Sequence, residues 1–182
     1  MSTKFSWELH PTDTPADFGA ELNEQLPLLV RKILTQRGIR DPERAEQFLR
    51  PRLADLGDPF KMREMDAAVE RIFRAADHGE RICIYGDYDV DGVSSVTLLH
   101  TILTAYGLQP TCFIPVRTRE GYGLSREGIR RAINECGGKP QLIITVDCGT
   151  SSVDEVAYLN ELGIDVIILD HHESSTRGRP LQ

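Results

Sequence analysis

Three short runs hold most of the side chains in this sequence that could do chemistry: Gly86-Asp87-Tyr88-Asp89-Val90-Asp91-Gly92, Asp147-Cys148-Gly149 and Asp170-His171-His172-Glu173. Each follows directly on an apolar stretch. Carboxylates gathered at this density must take up protons, find cations or destabilise the fold, and no Lys or Arg lies inside the three runs. A divalent metal is the economical neutraliser if folding brings them together. Oxygen donors with one or two imidazoles suit Mn²⁺ or Mg²⁺, and a carboxylate shared by two ions permits a dinuclear centre about 3.5–4 Å across. Asp147 is the candidate bridge by its middle place among the runs. The competing reading of any one run is a solvated turn or helix cap, since Asp favours both. Repetition after three separate strands weighs against it.

Asp87 to Gly92 also matches the opening D-x-D-x-D-G of a calcium-binding EF-hand loop. The twelfth position is Leu98 where that loop needs a bidentate Glu, and a strand rather than a helix leads in, so the EF-hand is rejected. Neither G-x-G-x-x-G nor G-x-x-x-x-G-K-[ST] occurs, which removes the common nucleotide fingerprints. Cys83, Cys112, Cys136 and Cys148 show no C-x-x-C spacing, so a zinc ribbon and a dithiol redox motif are both excluded and free thiols are expected.

The elements that must position these runs are legible from periodicity. Apolar residues at helical spacing predict a helix from about Leu26 to Gln36, stopped at Gly38. Asp41-Pro42 opens a second helix through Phe48 and Leu49 that Pro51 ends. A third runs from about Met62 to His78, with Gly79 past its end. Beyond Gly79 apolar strands alternate with helices: strands at Arg81–Tyr85, Thr111–Pro115, Leu142–Val146 and Val166–Leu169, and helices at Val93–Tyr106, Ser125–Glu135 and Val153–Leu162, with a loop from Val116 to Leu124. The expected fold is α/β, a mostly parallel sheet with helices on both faces, preceded by a short helical N-terminal segment. Residues 1–79 form that segment, 80–173 the sheet domain and 174–182 a polar tail, with the first fifteen or so residues read as extended. Parallel strands put their carboxyl ends on one edge, where open α/β proteins place ligands.

Composition sets the outer bounds. The chain has 182 residues, 40% hydrophobic and 27% charged, enough for one ordinary domain with an accessory segment. No apolar run spans a bilayer and the N-terminus lacks a secretory h-region, so the expectation is a cytoplasmic protein with no membrane partner. Lys plus Arg is 21 against 28 Asp plus Glu, a net charge of −7, which argues against coating nucleic acid by charge alone. A local basic strip remains: Arg117, Arg119, Arg126, Arg130 and Arg131 against Glu120 and Glu127.

These runs, with Ile114-Pro115-Val116-Arg117 leading to Glu120-Gly121-Tyr122-Gly123-Leu124, and Thr145-Val146-Asp147-Cys148-Gly149-Thr150-Ser151-Ser152, resemble the DHH phosphoesterases, named for the triplet Asp170-His171-His172. Within them the likeness is to the RecJ-type single-strand-specific DNA exonucleases, and it covers about Arg81 to Glu173. The resemblance implies Asp89, Asp91, Asp147 and His171 as ligands of one or two Mn²⁺ or Mg²⁺ ions, with Asp87 a further one. It implies that His172 contacts the substrate phosphate and that Asp170 orients the adjoining histidine. Arg117 would hold a phosphate with its planar fork, Tyr122 would stack a base, and Ser94 and Ser95, opening the helix after the first run, would offer free N–H groups to an anion. The bland alternatives stay open: a loop histidine, a solvated loop arginine, a packed tyrosine and ordinary capping serines.

The implied activity is metal-dependent phosphodiester hydrolysis, a 5′-to-3′ exonuclease on single-stranded DNA serving repair and recombination. The rivals are a DHH phosphoesterase on short oligonucleotides or cyclic dinucleotides, and a DHH-like binding module that no longer cleaves. Two departures stand out. Many relatives carry His where Tyr85 stands, which makes a one-metal site conceivable, and the pattern of the family continues past Gln182 to another metal-binding Asp and a second domain. The expectation is therefore the front portion of a longer enzyme, weak or inactive alone. Protein partners and oligomeric state are not legible.

Overall fold

Runs such as Leu142–Val146 have no polar side to turn to water, so they become strands covered on both faces. A computed structural model describes residues 14–121 and 123–173 and divides the chain into two compact units, Met1–Met62 and Arg63–Gln182. The first holds three helices, α1 (Ala20–Gln25), α2 (Leu28–Gln36) and α3 (Pro42–Leu49), and short 3₁₀ turns at Leu53–Asp55 and Pro59–Lys61. Asp41 caps α3 by accepting from the Arg44 N–H. Phe18, Leu34, Ile39 and Ala45 form its small core. The helix α1 and both 3₁₀ turns carry too few apolar repeats to be read from periodicity.

The second unit runs α4 (Met65–Asp77), β1 (Ile82–Tyr85), α5 (Val90–Ala105), β2 (Thr111–Phe113), α6 (Arg117–Glu120), α7 (Arg126–Glu135), β3 (Leu142–Val146), α8 (Val153–Glu161) and β4 (Asp165–Leu169). All strand pairings are parallel, in the order β2-β1-β3-β4. Side chains alternate across the sheet. Cys83, Tyr85, Phe113 and Ile143 pack with Ile129 and Ala132 of α7 and Leu159 of α8. On the other face Ile82, Ile84, Leu142, Ile144 and Val146 pack with Ala75 of α4 and Val96 and Leu103 of α5. The helix before residue 80 thus shares the sheet's core, and buried Arg71 binds it further: its Nε donates to Asp165 and its guanidinium to Glu80, each at 2.6 Å. Both acids lie at the N-terminal edge of the sheet, away from the Asp and His runs.

Two boundaries move in ways that matter for the site. The helix expected from Val93 begins at Val90, because the Asp89 carboxylate accepts from the Gly92 N–H at 3.0 Å and so caps it. The expected loop from Val116 contains the single turn α6, whose Glu120 is buried and reaches back to accept from the Val116 N–H. Residues 1–13, the tail from residue 174 and Tyr122 lie outside the described residues.

Ile144 sits wholly buried in the middle of a central strand. Replacing it with alanine should cost about 2–5 kcal/mol, read by urea denaturation of the chain. A change of about 0.5 kcal/mol or less, the range of surface substitutions, would contradict this placement.

Candidate metal centre

The strand order reverses between β1 and β3, so the chain leaves their carboxyl ends in opposite directions and a crevice opens there. Asp87 follows β1 and Asp147 follows β3, one on each side of that point. Both are buried, at 1% and 5% exposure. Asp147 takes a left-handed backbone with φ +61°, a conformation that costs an L-residue about 1 kcal/mol or more. Its N–H donates to Leu169 O at 2.9 Å, which ties the residue to the end of β4. Gly92 is required on the facing side, since a Cβ there would lie 2.5 Å from the Asp87 carbonyl oxygen.

Potential ligand atoms form two groups, Asp87, Asp89 and Asp147, and Asp147, His171 and His172, each within 4.8 Å of one another. Asp147 belongs to both. Its Oδ1 pairs with His171 Nε2 at 3.1 Å. Asp87 Oδ1 accepts from the Tyr88 N–H at 2.8 Å. The remaining oxygens, Asp87 Oδ2 and Asp147 Oδ2, are buried and have no hydrogen-bond partner among the described residues. A buried carboxylate oxygen without a donor is costly, and a hard cation with oxygen and imidazole ligands satisfies it. The residues present therefore fit a divalent ion such as Mn²⁺ or Mg²⁺.

Protonation follows the same logic. Burial, followed by the charge of Asp89, pushes Asp147 above the ordinary carboxylate value, whereas the Gly92 N–H holds Asp89 below it. At Asp170 burial acts upward, but hydrogen bonds from Thr150 and His172 outweigh it and the carboxyl ends well below its ordinary value. The Thr150 N–H donates at 3.0 Å, and His172 gives both its N–H at 3.1 Å and an Asp170 Oδ1···Nδ1 contact of 2.7 Å. That bond, ahead of a smaller opposing effect of burial, raises His172 above the ordinary imidazole value. The two histidine rings lie 4.7 Å apart.

Not every expected residue arrives here. Asp170 holds His172 and not His171, its immediate neighbour. Asp91 is exposed in the first turn of α5 and joins neither group. Ser94 and Ser95 fall past the first four residues of α5 because Asp89 starts the helix early, so their N–H groups are not the free ones and the expected anion contact is lost. Tyr85 is fully buried on the α7 face and its hydroxyl donates to Gly123 O at 3.2 Å, supporting the loop after α6. In the basic strip Arg131 pairs with Glu120 and Glu135 and lies over the Phe113 ring, while Arg126 lies over Tyr158. Arg117 is exposed, its guanidinium carbon 5.3 Å from the centre of the Tyr88 ring. Glu120 and Thr150 were missed as positioning groups; E-G-Y-G and G-T-S-S give no sign that one acid is buried or that one N–H meets Asp170.

A parallel α/β sheet whose carboxyl edge gathers buried aspartates beside exposed histidines defines a class of protein, the open α/β domains that bind ligands at a strand-order reversal. The family described as "DHH family, N-terminal domain" matches residues 81–180, and the chain belongs to the DHH family. It is 42% identical over 175 residues to the single-stranded-DNA-specific exonuclease RecJ of Bacillus subtilis, covering 95% of this chain and 22% of that protein. To RecJ of Escherichia coli it is 35% identical over 158 residues, covering 86% and 26%. The chain thus spans about a quarter of the length of these curated relatives. A crystal structure of an exonuclease RecJ bound to manganese superposes with a TM-score of 0.57 at 34% identity, covering 65% of this chain and 30% of that one. RecJ of Thermus thermophilus in complex with Mn²⁺ gives 0.57 at 28% identity, covering 86% and 21%. No helix among the described residues is long and apolar enough to cross a membrane.

The Asp170–His172 bond has a pH signature. Because the pKa of His172 is raised on folding, the bond's contribution to stability is complete below the ordinary imidazole value of 6.5 and is lost as pH rises through the folded value. Because Asp170 is lowered, its contribution is present above the ordinary 3.8 and is lost as pH falls through its folded value. NMR titration of the His172 ring protons should give a midpoint that Asp170→Asn lowers. Equal midpoints in the two proteins would contradict the pairing.

Proposed function

We propose that this chain carries the metal-binding half of a phosphodiesterase active site that degrades single-stranded DNA from its 5′ end. The observation that carries the reading is Asp147, buried and common to both ligand groups, with an oxygen that lacks a donor. The names of the relatives supply the substrate class. Asp87, Asp89, Asp147 and His171 would hold one or two Mn²⁺ or Mg²⁺ ions. Bound there, such an ion lowers the pKa of a water and stabilises charge on phosphoryl oxygens.

The chain's own residues do the rest. Asp170 engages His172 at Nδ1, and in the protonated ring Nε2–H would donate to a phosphate oxygen. Raised by the same carboxylate, His172 retains the proton that makes this donor cationic across a wider pH range. Arg117 presents its planar N–H groups to a second phosphate. Arg119 and Arg130 are exposed and are carried as further candidates for the strand backbone, whereas Arg131 is occupied by Glu120. Tyr122, outside the described residues, is retained as the base-stacking candidate, and the exposed hydroxyl of Ser94 is left as a weaker contact. A cyclic-dinucleotide or short-oligonucleotide substrate would need no strand-tracking edge, and the arginines beside the site favour the long strand.

The test is nucleotide release from a labelled single strand in Mn²⁺, using the longest reading frame that contains this chain. Single strand should be degraded in preference to duplex. Asp147→Ala should reduce the rate by more than the roughly 10–100-fold typical of losing a group that merely supports a ligand. Activity surviving that change would overturn the assignment.

A further inference from the structure

Arg117 sits on the first residue of α6, and that turn is locked from behind. Buried Glu120 accepts from the Val116 N–H at 2.6 Å and pairs with Arg131, which in turn lies on Phe113. The backbone under Arg117 is therefore fixed, but an exposed arginine keeps a long flexible stem. Its ring partner Tyr88 directly follows Asp87, a buried carboxylate of the acid cluster and an attractor for any nearby cation. A guanidinium drawn into that cluster would occupy the oxygens that otherwise suit a cation. Among the described residues no carboxylate pairs with Arg117. Its guanidinium instead meets the ring of Tyr88, 5.3 Å from carbon to ring centre.

We propose that Tyr88 is a positioning residue for substrate recognition, holding Arg117 at the rim of the acid cluster so that its N–H edge meets a backbone phosphate of the incoming strand. This rests on the nucleic-acid reading given above. The chemistry suits the task. A ring face attracts the cation through its quadrupole but uses none of the in-plane N–H donors, so the fork stays available for phosphate oxygens. A carboxylate partner would have consumed that fork and cancelled its charge. Tyr88 also stands between two members of the acid cluster, and its own N–H donates to Asp87 Oδ1 at 2.8 Å. One residue thus fixes a buried carboxylate through its backbone and the arginine through its ring, and it sets the spacing between the two sites.

The pair can be read directly. In the 182-residue chain the Arg117 Nε–Hε resonance, assigned by its loss in Arg117→Lys, should carry a ring-current displacement. Tyr88→Leu keeps apolar bulk without the π-face and should remove the displacement; Tyr88→Phe should retain it. Binding of a short 5′-phosphorylated thymidine oligonucleotide in Mg²⁺, followed by fluorescence anisotropy, should weaken about three- to five-fold in Tyr88→Leu. It should be near wild type in Tyr88→Phe. The Tyr88→Leu/Arg117→Ala double variant should bind no more weakly than Arg117→Ala alone. An Arg117 resonance that does not respond to Tyr88→Leu overturns the inference whatever the chain binds, as does full additivity of the two substitutions. A responsive resonance in a chain that binds no single strand supports the held guanidinium and overturns the nucleic-acid reading instead.

Discussion

Negative charge placed out of reach of water is the constraint around which this molecule is arranged. Asp87 and Asp147 are buried carboxylates at the carboxyl edge of the sheet, and each keeps an oxygen that no described donor reaches. A fold tolerates this only if something else supplies the positive end. A proton is one answer: burial, with the charge of Asp89 behind it, moves Asp147 upward, while the Gly92 N–H holds Asp89 low. A divalent ion is the stronger answer, because it meets several oxygens together.

The remaining architecture keeps that arrangement from relaxing. Strands β1 and β3 are the central pair of the sheet and are covered on both faces by apolar side chains, so their ends cannot splay apart to separate the acids. The left-handed backbone at Asp147 is pinned by Leu169 O, and α5 presses Gly92 against the Asp87 carbonyl. At the opposite edge buried Arg71 meets the more exposed carboxylates of Asp165 and Glu80. The contrast is one of charge: at one edge the buried cation Arg71 meets two carboxylates, and at the other the buried carboxylates of Asp87 and Asp147 meet no Lys or Arg among the described residues.

Much of this was legible in the sequence because continuous apolar runs announce parallel strands, and the polar residues next in the chain mark their carboxyl ends. Ile82–Tyr85, Leu142–Val146 and the run ending at Leu169 each lead at once into acid or imidazole, and topology alone brings those ends to one edge. Helix boundaries were less legible where a polar residue played two parts. Asp89 caps α5 as well as facing Asp147, so a start judged from the apolar Val93 came late and misplaced Ser94 and Ser95. The basic strip misled for a similar reason: composition counts Arg131 as free charge, whereas burial of Glu120 commits it to a structural pair. Which histidine Asp170 holds depends on the turn after β4, and no spacing rule separates His171 from His172. The shared membership of Asp147 could be guessed from chain order, but its backbone conformation could not.

The most direct test of this account is anomalous diffraction from crystals of the 182-residue chain grown with Mn²⁺. The account predicts an anomalous peak at the switch point between β1 and β3, bonded to Asp147 and to Asp87 or Asp89. Density showing the unpartnered oxygens of Asp87 and Asp147 satisfied by protein donors, with manganese bound only elsewhere, would contradict it.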